Sequence, residues 1–280
     1  MLSSPATALA QILVAALLAF PATSALAVES PWVKTDKADI RLISAGASGT
    51  DGALRAGVDI RMARGWHTYW RYPGDAGIPP RFDWSGSINL AAAEIRWPTP
   101  ARIAVEGGIE SIGYTDSVLF PVLIRPADAA KPVALRLRID FGVCDKICIP
   151  ASAKVAIDIP PGSGKRQPAL DAAEALVPST AKLAGDALPR VIAAKLEPGK
   201  PPRALIEVAV TPGKPFDLFA EGPSGDWALP LPKLIEHKDG RARFAIPIEG
   251  APSGASPRPA KVRLTLVSGS KAVESLVPLD

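Results

Sequence analysis

Cys144 and Cys148 are the two thiols of the 280-residue chain, and three residues separate them in FGVCDKICIP, positions 141 to 150. A pair so close cannot tie distant parts of a fold together. It is a local clip, a metal clamp or a reversible dithiol. As a clip, a loop of about five residues contributes roughly 2 kcal/mol on the chain-entropy view, which a chain of this size does not need. As a clamp, a tight copper or zinc site wants three or four ligands. Only His67, His237, Met1 and Met62 could supplement the sulfurs, and none is adjacent in sequence, so no metal ligand set is assigned. A reversible dithiol/disulfide pair is the favoured reading, with the structural clip as its alternative. Lys146 would promote the thiolate and Asp145 oppose it.

The flanking residues say how the sulfurs are held. Val133, Leu135, Leu137, Ile139, Phe141 and Val143 alternate with Arg136, Arg138, Asp140 and Cys144. Beyond Asp145-Lys146-Ile147 the apolar parity continues through Ile147, Ile149, Val155 and Ile157, and Cys148, Ser152, Lys154 and Asp158 take the other. Side chains alternate faces along a strand. The pattern therefore predicts a hairpin whose cysteines are cross-strand neighbours at its mouth, with both sulfurs turned away from the apolar interior. Opposed Cα atoms about 4.5–5.5 Å apart suit a disulfide.

The other segments read as a scaffold of short strands. Leu54, Val58, Ile60 and Met62 share one face of a half-buried strand, with Arg55, Asp59 and Arg61 opposite. GWHTYWRYPGD, from Gly65, continues extended until Pro73-Gly74 turns the chain, and further strands run near 91–97 and 118–124. His67 reads as a structural histidine. After Pro160-Pro161 the composition changes, and PALDAAEALV, from Pro168, predicts a short helix. Strand patterns return in RALIEVAV, FDLFAEG, RARFAIPIEG, KVRLTLVSG and AVESLVPL. The expected class is all-β: two immunoglobulin-like β-sandwich domains, 28–161 and 189–280, joined by a linker over 162–188 with a short helix.

Residues 1–27 read as a secretory leader, with an apolar run from Leu9 to Phe20 and Ala25-Leu26-Ala27 before the cut. Export would place the chain in the periplasm, where disulfides persist. A net charge of +4, with basic residues scattered among 28 acidic ones, excludes a basic nucleic-acid surface. No serine-histidine-aspartate set or phosphate loop stands out, and no cofactor is called for.

GWHTYWRYPGDAGIPPRFDW (65–84), WPTPARI (97–103), GYTDSVLFPVLI (113–124) and DFGVCDKICIP (140–150) occur in the order found in a known family. Over roughly residues 30–160 the chain resembles the periplasmic amino-terminal domain of the thiol:disulfide interchange protein DsbD, closest to the copper-sensitivity-suppressor branch, ScsB. The resemblance implies that Cys148 forms the mixed disulfide with a partner and Cys144 resolves it. It implies a cap loop at Glu106, Gly107, Gly108, Ile109 and Glu110, with Ile109 where relatives carry an aromatic residue. Relatives also have a longer spacer between the cysteines. Trp66, Tyr69, Trp70 and Tyr114 are candidate docking residues. The implied partners are a membrane-embedded thiol-disulfide relay and periplasmic thioredoxin-like or cytochrome c maturation proteins. Because the chain reaches Asp280 with no membrane segment or thioredoxin-like domain, the electron source is expected to be a separate protein. A binding module with an inert disulfide and a copper-handling protein are the alternative readings.

Overall fold

Alternating apolar residues build the first domain in the computed structural model, which describes residues 28–48, 52–161, 167–255, 259 and 261–279. The leader expected over 1–27 lies outside them. In chain order the strands are β1 (Val33–Lys34), β2 (Ala38–Ser48), β3 (Ala53–Met62), β4 (His67–Gly74), β5 (Arg81–Asp83) and β6 (Leu90–Ile95). β7 (Ala101–Ala104), β8 (Glu110–Thr115), β9 (Ser117–Pro126), β10 (Val133–Cys144) and β11 (Cys148–Ile159) complete the set. One sheet runs β1-β2-β3-β9-β6 and the other β11-β10-β4-β8-β7, with β5 also on β10. Ile40, Val58, Ile60 and Phe120 from the first sheet meet Leu135, Leu137, Ile139 and Phe141 from the second in one core, as two packed sheets require. The expected face of β3 is confirmed: Leu54, Val58, Ile60 and Met62 are buried and Arg61 is exposed. Asp59 is also buried, and its carboxylate accepts from Arg41 Nε at 2.9 Å.

The linker helix α1 (Pro168–Ala175) starts on a proline at its first turn. It is bound to the first domain. Leu170 is buried against Ile43 and Ala45, and Arg55 donates to Asp171 at 2.5 Å and to Glu174 at 2.9 and 2.6 Å.

The second domain uses β12 (Ser179–Thr180), β13 (Arg190–Glu197), β14 (Arg203–Ala209), β15 (Phe216–Glu221), β16 (Lys233–Lys238), β17 (Arg241–Pro247), β18 (Lys261–Ser268) and β19 (Lys271–Pro278). They form two four-stranded sheets, β12-β19-β18-β15 and β13-β14-β17-β16. The fold class is therefore all-β with two sandwich domains, as the alternation predicts. Ser179–Thr180, placed by sequence in the linker, instead pairs in parallel with β19. The domains also share apolar packing: Phe219 and Leu231 of the second join the core of the first.

Candidate functional site

The β10–β11 register is unbroken from Val133↔Ile159 to Cys144↔Cys148, so alternation carries both cysteines to the hairpin mouth. They are bonded to each other with Cα atoms 4.2 Å apart, slightly closer than the roughly 4.5 Å of the tighter kind of opposed pair. Asp145 N–H donates to the Ile147 carbonyl at 3.1 Å and closes the turn.

The expectation that both sulfurs look outward is only half right. Cys148 is exposed, whereas Cys144 retains 1 % exposure. The reason is β4, which pairs with β10 through His67↔Cys144 and covers the inner cysteine. Ile147, assigned by parity to the core, sits in the turn and is 64 % exposed; a turn has no parity to obey.

Tyr69 is the cover. Its hydroxyl donates to Cys144 Sγ at 2.8 Å and lies 3.3 Å from Cys148 Sγ. Burial pushes its pKa up, which keeps it a protonated donor. Two glycines make room for the ring. A Cβ on Gly77 would fall 2.3 Å from Tyr69 Cδ1, and one on Gly142 would fall 3.1 Å from Cε2 and 3.0 Å from Ile78 Cβ. Gly142 N–H donates to the Ile78 carbonyl at 3.0 Å, while Thr68 Oγ1 donates to the Gly142 carbonyl at 2.9 Å. The site is thus a clamp of β4, the Gly77–Ile78 segment and the end of β10.

His67 is the second wall. It is 5 % exposed, its Nε2 has no hydrogen-bond partner among the described residues, and its ring meets Tyr69 edge-on at 5.4 Å. Burial lowers its pKa, and Asp145 opposes that only in part. His67, expected from sequence to be a structural histidine, is walled into the site with an Nε2 that no described residue satisfies. The signal available was parity: His67 and Tyr69 fall opposite Trp66, Thr68 and Trp70.

Of the four aromatics expected to dock partners, three are buried. Tyr69 lies on the sulfurs. Trp70 faces Phe219 of the second domain at 5.9 Å. Tyr114 donates to the Pro98 carbonyl at 2.8 Å. Only Trp66 is partly open, with Lys37 5.4 Å from its ring. The segment expected to cap the site forms a 3₁₀ turn over Glu106–Gly108 at the tip of the β7–β8 hairpin. Gly107 and Gly108 have φ of 83° and 78°, a left-handed backbone suited to glycine, and Ile109 is exposed. Glu110 pairs with Arg102 at 2.8 Å.

A β-sandwich that closes a cystine at a hairpin mouth, one cysteine exposed and one buried, fits thiol-disulfide exchange. Residues 31–159 match the family described as the N-terminal part of the thiol:disulfide interchange protein DsbD. The two-domain fold is that of a solved structure, the N-terminal periplasmic domain of ScsB from Proteus mirabilis: TM-score 0.68, 18 % identity, covering 91 % of this chain and 99 % of that one. No curated protein sequence matches the chain significantly.

Proposed function

We propose that the protein is a periplasmic redox carrier, accepting reducing equivalents from a membrane-embedded relay and passing them to thioredoxin-like or cytochrome c maturation partners through Cys144 and Cys148. The observation that carries this reading is the asymmetry of the bonded sulfurs: Cys148 is open to a partner while Cys144 is buried under a hydroxyl donor. A donor thiolate attacks Cys148 Sγ, the Cys144–Cys148 bond breaks, and Cys144 leaves as a thiolate that Tyr69 stabilises by donating to it. A second donor thiol then displaces Cys148, leaving the dithiol here and the disulfide on the donor. Reversal of the same steps reduces an acceptor. No base, metal or cofactor is consumed. The direction and the partner class are what the resemblance implies, and Glu106 to Glu110 are assigned as the cap by the same resemblance. Periplasmic placement rests on the leader read over 1–27. Among the described residues no helix is long and apolar enough to cross a membrane.

The test is an equilibrium with glutathione buffers followed by quantification of free thiols. A carrier holds its cystine at a potential above about −300 mV, whereas a structural clip resists the glutathione pool. A pair that stays oxidised throughout would make the disulfide a clip and end this reading.

A further inference from the structure

The pairing register sets four residues in one row across the second sheet: Cys148, Cys144, His67 and Thr115. Directly opposed residues in antiparallel strands present their side chains on the same face. The imidazole is therefore the neighbour of Cys144 on the side away from Cys148. Its Nε2 is buried and, with the sulfurs bonded to each other, has no hydrogen-bond partner among the described residues, Cys144 Sγ included; buried polar atoms are rarely left so, and the freed Cys144 thiol is the partner in reach once the disulfide opens.

We infer that His67 is the general base for Cys144, a role that rests on the exchange reading and extends it. Cys144 is the sulfur with a proton to lose in a place where water cannot take it. In the step that releases an acceptor, Cys148 is already bonded to the partner's sulfur and Cys144 is a thiol. The Cys144 S–H proton passes to His67 Nε2, and the resulting thiolate attacks Cys148 Sγ. The Cys144–Cys148 bond forms, the bond from Cys148 to the partner breaks, and the partner sulfur leaves with the electron pair as a thiolate. Cys144 is oxidised and the partner is reduced. In the opposite direction the imidazole takes up a proton from solvent and passes it to the departing Cys144 thiolate. Burial keeps the ring neutral near pH 7, ready to accept. The titratable and charged groups around it are Cys144 and Cys148 across the sheet, Tyr69 on its own strand, Asp145 and Lys146 in the β10–β11 turn, and Asp116 beyond Thr115, whose carboxylate accepts from Gly65 N–H at 2.6 Å. Tyr69 and His67 thus divide the work: the hydroxyl stabilises the thiolate and the imidazole takes its proton.

The experiment uses glutathione as the partner. Reduced full-length protein is converted to the Cys148–glutathione mixed disulfide, and release of glutathione is followed from pH 6 to 9. In the wild type the rate should be nearly level above pH 7. His67→Gln and His67→Phe should both be slowed at pH 7 by on the order of 10²-fold and should rise about tenfold per pH unit toward the wild-type rate. Profiles that coincide with the wild type would remove the assignment and leave the exchange reading intact. A wild type that forms no mixed disulfide with glutathione removes both. A second measurement keeps His67 in place: in Cys148→Ser the ring of His67 should titrate in two coupled steps by NMR, and adding Cys144→Ser should leave one. A single step in both would overturn the proposal even if the His67 variants do not fold.

Discussion

At the residue scale, what separates this cystine from an inert clip is one hydroxyl. Tyr69 touches both sulfurs and approaches the buried one more closely. A hydrogen bond to a charged group contributes about 1.5–3 kcal/mol, so the donor favours departure of Cys144 as a thiolate over departure of Cys148. Tyr69→Phe keeps the ring in its slot and removes only the donor. We expect the variant to fold and to form its disulfide, while reduction by a small dithiol at pH 7 slows by about 10- to 100-fold, as stopped-flow kinetics would measure. An unchanged rate would mean that the hydroxyl packs against the sulfurs without assisting them. This residue was legible in the sequence only as one aromatic among several. Parity gave its face, yet it could not say that the face meets Cys144, because the β4–β10 pairing joins positions far apart in the chain.

At the element scale, the hairpin could be read from sequence almost residue by residue, since strict alternation over β10 and β11 fixes the register and every slip would expose the core. Besides β12, two strands of the second domain were missed. β16 is exposed along its whole length, so no apolar face marks it, and the alternation of β13 is broken by a register shift between Val191 and Ala193. The burial of Cys144 was missed for a related reason: a strand's parity says which way a side chain points and nothing about what a third strand lays over it. The Gly77–Ile78 segment is the element that locks the clamp. A methyl at Gly77 would sit 2.3 Å from the Tyr69 ring, at a glycine whose φ is 151°, so Gly77→Ala must displace either the ring or the loop. We expect a loss of about 1–3 kcal/mol in denaturant melts and faster alkylation of the reduced Cys144. Wild-type stability with unchanged Cys144 reactivity would show that the ring has another place to go.

At the scale of the whole molecule, β4 carries the site and the domain contact together. Arg71, two residues after Tyr69, donates to Glu221 at 2.9 and 2.6 Å and also pairs with Glu274. Tyr72 donates to the Leu229 carbonyl, and Arg102 reaches Asp217 at 3.0 Å. Burial pushes the Glu274 carboxyl up, but Arg71 and Arg263 outweigh it and hold its pKa below the ordinary value. Its pairing therefore stabilises the docked domains at neutral pH, and the contribution is lost as pH falls below about 4.5 and through the depressed folded pKa. Arg71→Ala, which strands Glu221 in the contact and leaves Glu274 with Arg263, should cost up to about 3–5 kcal/mol. It should also give two melting transitions in calorimetry where the wild type gives one, and weaken the acid dependence. A single unshifted transition would mean that apolar contacts such as Trp70 with Phe219 hold the domains unaided. Sequence showed that there are two domains. The contact between them was hidden, because the acidic residues that meet Arg71 lie 150 and 203 positions away. The most direct test of the account uses the intact chain against periplasmic extract, comparing Cys144→Ser with Cys148→Ser for covalent partners that reductant releases. The open sulfur of Cys148 predicts abundant mixed disulfides in Cys144→Ser and few in Cys148→Ser; none in either, or the reverse preference, would contradict it.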